Sequence, residues 1–548
     1  MAFIVKKKVK GHDYFYLNKS VREAGKVKSK TLAYLGKTRE EAEKKANEFI
    51  YKNEVIANLI EEDEESVRNM TIEEMAVFCK RKGFVFSSGE IYGSFSGFWD
   101  FGPLGVELKN NIKKSWWKFF VQNREDMTGI DGSIITHPKT WEASGHVSSF
   151  IDVAVICKKC RNKTKIDKHE VGQSRCDKCG GEYEIKGQFN PMFTTQVGPV
   201  KDDSITAYLR PETAQLIFSN FKQVTELARM KLPFGIAQIG KAFRNEIAPR
   251  DFLFRCREFE QMEIEYFNIP NEKCQYDLPD VDIFIYSAES QLSKKDPESM
   301  KIKHALEKGI IKRDWHAYWL AKCLLWFKSL GCNLKNFRIR QHEKNELAHY
   351  SSDCWDLEYN FPFGWKELTG IADRSTYDLS KHEEYSKQDL KLFVEGKGKI
   401  LPEVVCEPSF GVERAFLVFL FEAYKEDKKR ENIVLHLHNK LAPFNVGVFP
   451  LVNKLDNDAR KVYDGLKEEF HAFYDRSGSI GRRYARQDEI GTPYCITIDF
   501  DSLKENDVTI RDRDTTSQIR VKIDDLKEVL RKLINYEVNF EKAGKLIK

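Results

Sequence analysis

The chain has 548 residues, 41% hydrophobic and 32% charged, enough for about three or four domains with large cores. Its net charge of +5 admits a nucleic-acid partner without requiring one. No run of about 18 apolar residues offers a membrane-spanning helix, and the opening MAFIVKKKVKGHDYFYL lacks the pattern of a signal peptide, so a cytoplasmic location is expected.

Residues 1–36 read as a small basic β-module of three short strands, at 3–10, 14–18 and 26–34, with turns at Gly11-His12-Asp13 and Ala24-Gly25. The first 37 residues carry ten Lys/Arg against two acids, interleaved with Tyr14, Phe15, Tyr16 and Tyr34. That composition suits either contact with an RNA backbone or a solvated sheet guarded by lysines. Residues 37–70 are charged and helix-prone and read as a helical linker. Thr71 caps a helix, and a turn-rich Gly/aromatic stretch follows, then an amphipathic helix from about Gly105.

Cys157-Lys-Lys-Cys160 and Cys176-Asp-Lys-Cys179 are two CxxC knuckles fifteen residues apart, a spacing that lets four thiolates surround Zn²⁺ tetrahedrally. Four cysteines leave no open coordination position, so the zinc is expected to be structural. The other eight of the twelve cysteines are scattered, which fits reduced thiols rather than a disulfide framework. In Leu209-Arg210-Pro211-Glu212-Thr213-Ala214-Gln215 the proline ends an extended segment, and Glu212 falls at the start of a helix.

Residues 236–246 and 254–267 read as two strands joined by a proline-containing loop. Side chains alternate faces along a strand, so Arg255, Arg257, Phe259, Gln261, Glu263 and Glu265 share one side, and Arg244 and Glu246 share another. A sheet face of arginines, an aromatic ring and carboxylates is a poor core and a good floor for an anionic ligand with a planar ring. Residues 270–345 read as a mostly helical insertion. At 403–414, equal parity puts Glu407 and Ser409 on one strand face, Gly411 marks a strand-to-helix turn, and Arg414 lies one turn into the helix. An α/β domain follows, with a buried strand in LAPFNVGVFPLV, a helix at 459–475 and a strand at 494–500.

Phe243-Arg244-Asn245-Glu246, a loop, Arg255 and Phe259-Glu260-Gln261-Met262-Glu263 together resemble motif 2 of the class II aminoacyl-tRNA synthetases, and the FEQ-type strand resembles the glycyl branch of that family. The helix after Gly105 resembles motif 1, and Glu407-Pro-Ser409-Phe-Gly411-Val-Glu413-Arg414 resembles motif 3, with Glu413 where most class II enzymes carry glycine. Gly364-Trp-Lys-Glu367 through Asp373-Arg374 resembles the strand bearing a Mg²⁺·ATP carboxylate. Arg482-Arg-Tyr484-Ala-Arg486 and Thr509-Ile-Arg511-Asp512-Arg513 resemble pieces of the family's anticodon-binding domain, with Tyr484 as a stacking platform. The likeness covers roughly residues 71–540.

The resemblance implies an α+β/α/β multidomain protein. Residues 71–437 would form an antiparallel catalytic sheet flanked by helices and carrying the zinc ribbon at 157–179; residues 438–548 would form the α/β anticodon-binding domain. It implies ATP-dependent attachment of glycine to tRNA(Gly) through a glycyl-adenylate, releasing AMP and pyrophosphate, with Mg²⁺ and a homodimer. The alternatives are a class II synthetase of another specificity and a catalytically silent nucleic-acid-binding relative. Arg244 would hold the α-phosphate, Glu246 the adenine edge and Arg414 the γ-phosphate, the three forming the catalytic set. Phe259 would stack on the ring, Arg255 would assist the phosphates, and Glu367 would bear on Mg²⁺. Asn245, Cys256 and Leu368 would complete the ATP site. Glu212, Glu263, Glu407 and Ser409 would surround the glycine ammonium.

Overall fold

A computed structural model describes residues 2–9, 12–23, 26–39, 42, 45, 70–150, 152–166, 172, 174–176, 178–199, 204–348 and 350–547. The chain divides into two compact units, Val67–Glu422 and one comprising Met1–Ser66 with Ala423–Lys548. The linker expected at 37–70 lies almost wholly outside the described residues. None of the described helices is long and apolar enough to cross a membrane.

At the N-terminus β1 (Ala2–Val9), β2 (His12–Glu23) and β3 (Lys26–Gly36) form an antiparallel three-stranded sheet. In the larger unit, α1 (Ile72–Lys82) opens on a complete capping box between Thr71 and Glu74. The next helix, α2, spans Pro103–Trp117, two residues earlier than expected, because Pro103 supplies a preset φ at the first helical position. It is drawn against the chain before it at Gly105, where a Cβ would lie 1.9 Å from the Phe84 carbonyl oxygen.

A nine-stranded sheet organises this unit. Its strands are β4 (Met127–Gly129) and, beyond the ribbon strands β5 (Asp152–Cys157), β6 (Lys163–Ile166) and β7 (Tyr183–Phe189) and helix α3 (Ala214–Ser219), β8 (Phe234–Phe243) and β9 (Glu258–Asn268). Next come β10 (Asp282–Tyr286), β11 (Glu298–Lys301), helix α4 (Asp314–Ser329), β12 (Phe337–Gln341), β13 (Asp353–Phe361) and β14 (Gly364–Asp373). After α5 (Tyr377–Ser386), β15 (Glu403–Gly411) runs straight into α6 (Val412–Ala423). The order is β11-β10-β12-β13-β14-β15-β9-β8-β4, antiparallel through the middle with parallel joints at β10/β12 and β4/β8.

Two expectations need correction here. The β8 and β9 strands stop short of the expected 246 and 254: left-handed Asp251 and Phe252 turn the chain into a 3₁₀ segment, Phe252–Phe254, which cannot continue a ladder. Residues 270–345, expected as a mostly helical insertion, hold helix α4 but also contribute β10, β11 and β12 to the sheet. Their main helix, α4, is buried nearly all round, and Trp319 and Trp326 pack within about 5–6 Å of Tyr266 and Phe410. Even-numbered Tyr266 and Phe410 thus face the apolar layer, while odd-numbered Glu263, Glu265, Glu407 and Ser409 face the other way. Trp116 and Phe120 belong to the same apolar layer.

In the smaller unit β16 (Val446–Pro450), α7 (Asp456–Leu466), β17 (Ala472–Tyr474), α8 (Ile480–Asp488), β18 (Tyr494–Ile498), β19 (Asp507–Asp512), β20 (Gln518–Lys522), α9 (Leu526–Ile534) and β21 (Lys545–Ile547) build an α/β layer. Its six strands run in the order β17-β16-β18-β19-β20-β21. The helix expected at 459–475 ends at Leu466, and Ala472–Tyr474 becomes the edge strand parallel to β16.

Candidate active site

The odd-numbered face of β9 and β15 floors a cavity of about 390 Å³, walled by the β8–β9 loop, β13, β14 and the start of α6. At one end sit Arg244, Arg255, Phe259 and Arg414. Arg244 is fixed by Nε donating to the Pro211 carbonyl at 3.0 Å, and its guanidinium lies 5.4 Å from the Phe259 ring centroid. Arg414 Nη1 donates to the Glu367 carbonyl at 2.9 Å, and its guanidinium lies 4.5 Å over the Phe254 ring. Although burial opposes ionisation, Arg414 holds the Glu367 carboxyl below its ordinary range. Arg255 pairs with Glu246 at 3.5 Å. The arrangement presents cations and an aromatic face together, a fit for a planar base carrying phosphates.

The other end is a carboxylate chamber. Glu212 meets His146 at 3.2 Å, and this partner, with Arg374, holds its carboxyl well below the usual range against the cost of burial. Thr213 Oγ1 donates to Glu263, and Gln261 Nε2 donates to Ser409 Oγ at 3.1 Å. Glu407 accepts from Arg374 Nη1 at 2.5 Å, yet burial, reinforced by Glu263 and Glu212, pushes its carboxyl up to about 8. Arg374 is fully buried, donates two further bonds to Asp378 at 2.7 and 2.9 Å, and lies 3.8 Å from the Tyr350 ring centroid.

Of the residues expected at the site, Arg244, Glu246, Arg255, Cys256, Phe259, Glu367, Leu368, Arg414, Glu212, Glu263, Glu407 and Ser409 all line this one cavity. Asn245 is not among the lining residues; its backbone N–H donates to the Pro191 carbonyl at 2.7 Å. Arg257 also faces elsewhere, because it precedes β9 and donates to the carbonyls of Glu246 and Ser96. Glu413 is anchored: it accepts from Lys109 Nζ at 3.0 Å and from the Glu260 N–H at 2.9 Å, and so orients the first turn of α6. Sequence reasoning gave no role to Arg374, Asp378, His146 or Tyr350. Only the Asp373-Arg374 turn offered a signal, and its partner Glu407 comes from a distant segment.

The four cysteines of the ribbon do converge. Cys157 Sγ lies 3.4 Å from Cys179 Sγ, Cys160 Sγ lies 3.5 Å from Cys176 Sγ, and all four sulfurs fall within 4.8 Å of one another. A tetrahedral ZnS₄ centre with bonds of about 2.3 Å spaces its sulfurs by just under about 4 Å, so the set fits zinc. Gly181 makes room for it, since a Cβ there would stand 3.0 Å from Cys157 Sγ. The Cys160 backbone N–H, above other contacts, draws the Cys157 thiol down to about 6.

In the C-terminal domain the expected recognition residues are largely engaged internally, Tyr484 among them. Its hydroxyl bonds Thr497 at 2.6 Å and the Arg511 guanidinium covers its ring at 4.8 Å. Arg511 pairs with Asp488 and Arg513 with Asp514. Arg483 is buried on the Pro450 carbonyl, whereas Arg482 is exposed.

A mixed sheet floored with arginines and carboxylates, joined in one chain to an α/β domain, fits the class II aminoacyl-tRNA synthetases that the sequence motifs resemble. A crystal structure of prolyl-tRNA synthetase from Cryptosporidium parvum, complexed with L-proline and AMP, shares the fold, with a TM-score of 0.51 at 12% identity over 86% of this chain and 77% of that chain. Residues 445–533 match the anticodon binding domain family. The chain is 43% identical to the glycine–tRNA ligase of Geobacillus thermodenitrificans, over 87% of this chain and all of that protein. It is 43% identical to that of Acetivibrio thermocellus over 83% of this chain and 97% of that protein, and 42% identical to that of Treponema denticola over 82% and 94%. The chain belongs to the glycine–tRNA ligase family.

Proposed function

We propose that this chain activates glycine with ATP and transfers it to tRNA(Gly), releasing AMP and pyrophosphate. The observation that carries the reading is the division of one cavity into a cationic end and a carboxylate end, in a chain that belongs to this family. Substitution at phosphorus creates no covalent link to the protein, so positioning and preorganised charge do most of the work. Arg244 takes the α-phosphate, Arg255 assists, Arg414 takes the γ-phosphate, Phe259 stacks on the base and Glu246 reads its edge. Glu367 is the carboxylate for Mg²⁺, which supplies charge neutralisation to the phosphates when bound.

Glu212, Glu263 and Glu407 receive the glycine ammonium. Ser409, braced by Gln261, stands as part of the wall against any β-carbon, because an added methyl must displace packed atoms rather than fill a gap. The four cysteines hold a structural Zn²⁺. The resemblance of the α2 segment to motif 1 supports a homodimer, and a cytoplasmic site of action completes the reading. Amino-acid-dependent ATP–pyrophosphate exchange across the twenty amino acids tests it. Exchange should be fastest with glycine, and faster exchange with proline, threonine, histidine or alanine would overturn the assignment.

A further inference from the structure

Beneath the lining of the carboxylate chamber lies one more acid. Glu265 follows Glu263 on the same face of β9, is fully buried, and neither carboxylate oxygen has a hydrogen-bond partner among the described residues. One oxygen from each of Glu263, Glu265 and Glu407 lies within 4.8 Å of the other two. A buried carboxylate without donors is costly when ionised, and three together repel one another.

The surroundings do not relieve this. From the β14–α5 turn comes Arg374, already shared between Asp378 and Glu407. From α5 come Asp378 and His382, the latter bonded through Nε2 to Gln215 and pushed by burial down to about 4, hence neutral. From the segment entering α3 comes Glu212, matched by His146. From β8 the register places Ile236 opposite Glu265. Around Glu263, Glu265 and Glu407 the guanidiniums of Arg374 and, on the Glu263 side, Arg210 are therefore outnumbered.

We propose that Glu265 is a positioning residue that stores a proton under the amino-acid pocket. With Glu263 and Glu407 it keeps a carboxyl O–H in the empty site, and that proton leaves to solvent when the substrate ammonium settles on the cluster. Binding exchanges one proton for one cation, so the chamber never carries the full repulsion of its acids. Burial, with Glu407 and Glu263 adding to it, raises the Glu265 carboxyl well above its ordinary range, in keeping with this role. The inference rests on the reading of this chamber as the glycine site.

The test is the pH dependence of the glycine KM in ATP–pyrophosphate exchange by the full chain, from about pH 6.5 to about 8.5, where the glycine amine stays protonated. In the wild type KM should fall as pH rises, by up to about tenfold per unit until the cluster is ionised, with kcat changing much less. Glu265→Gln, the same shape with no proton to lose, should flatten that slope. A flat wild-type KM profile overturns the proposal whether or not the variant folds, as does a wild-type slope kept in Glu265→Gln. Glu407→Gln separates the two readings: it should raise the glycine KM at every pH. An unchanged KM there would overturn the pocket assignment itself, while a raised KM with a flat wild-type profile would overturn only proton storage.

Discussion

In the C-terminal domain buried arginines are engaged by their own fold: Arg511 by both oxygens of Asp488, Arg513 by Asp514 and the Gly491 carbonyl, Arg483 by the Pro450 carbonyl. In the carboxylate chamber one buried arginine pairs with Asp378 and Glu407, while Glu263 and Glu265 form no ion pair among the described residues. Charge closed on itself is a structural element, and charge left over is a receptor. The same residue types therefore mean different things in the two regions, and a count of basic residues along the sequence does not separate them.

That contrast breaks most visibly at the phosphate end. Arg244→Ala and Arg414→Ala should each lower glycine-dependent exchange by about two to four orders of magnitude, because each removes a preorganised cation from developing phosphate charge. Thermal stability should move little, which a melting curve on the same samples checks. The opposite split is expected in the C-terminal domain. Asp488→Ala strands Arg511, whose side chain is 8% exposed, and should cost about 3–5 kcal/mol of that domain's stability in denaturant unfolding. Exchange per folded molecule should stay near wild type. If Asp488→Ala instead unfolded nothing and abolished exchange, the distinction between the two uses of charge would fail.

Much of the site was legible because it follows strand parity: Glu263 and Glu265, and Glu407 with Ser409, share a face by number alone. The convergence of the four cysteines was legible because ligand spacing encodes it. What stayed hidden was chemistry assembled across the fold. Arg374 reaches Glu407 from a turn thirty-three positions away, and His146 meets Glu212 from another segment. The strands within residues 270–345 stayed hidden for a related reason: a helix as apolar as α4 has no amphipathic stripe to reveal which sheet it covers. The Arg511 guanidinium over the Tyr484 ring was hidden too, because a motif gives residue identity and not the neighbour that covers the ring.

The ribbon sharpens the comparison from a third side, since four converging thiolates need a cation to balance them. Cys179→Ser should drop zinc from about one per chain to near none and open residues 157–179 to proteolysis, because a closed thiolate site couples metal binding to local folding. Elemental analysis of protein purified without chelator checks the first part, and a zinc content unchanged by the substitution would remove the assignment.

The smallest expected effect concerns the N-terminal sheet, where basic residues far outnumber acids. Lys6 pairs with Asp13, Lys7 lies 5.1 Å over the Tyr16 ring and Lys37 lies 5.9 Å over Tyr14. Ten Lys/Arg against two acids over 37 residues leave a surplus of 10 − 2 = 8, more than this sheet's own acids can close. If that surplus meets tRNA phosphates, binding releases counterions and affinity falls with salt by about 0.7–0.9 log units per log unit for each contact. Deleting residues 1–36 should then flatten the salt dependence of tRNA affinity by a few such contacts and leave glycine-dependent exchange intact, since exchange needs no tRNA. An unchanged slope would place this sheet with the C-terminal arginines, as charge that serves solubility or packing rather than recognition.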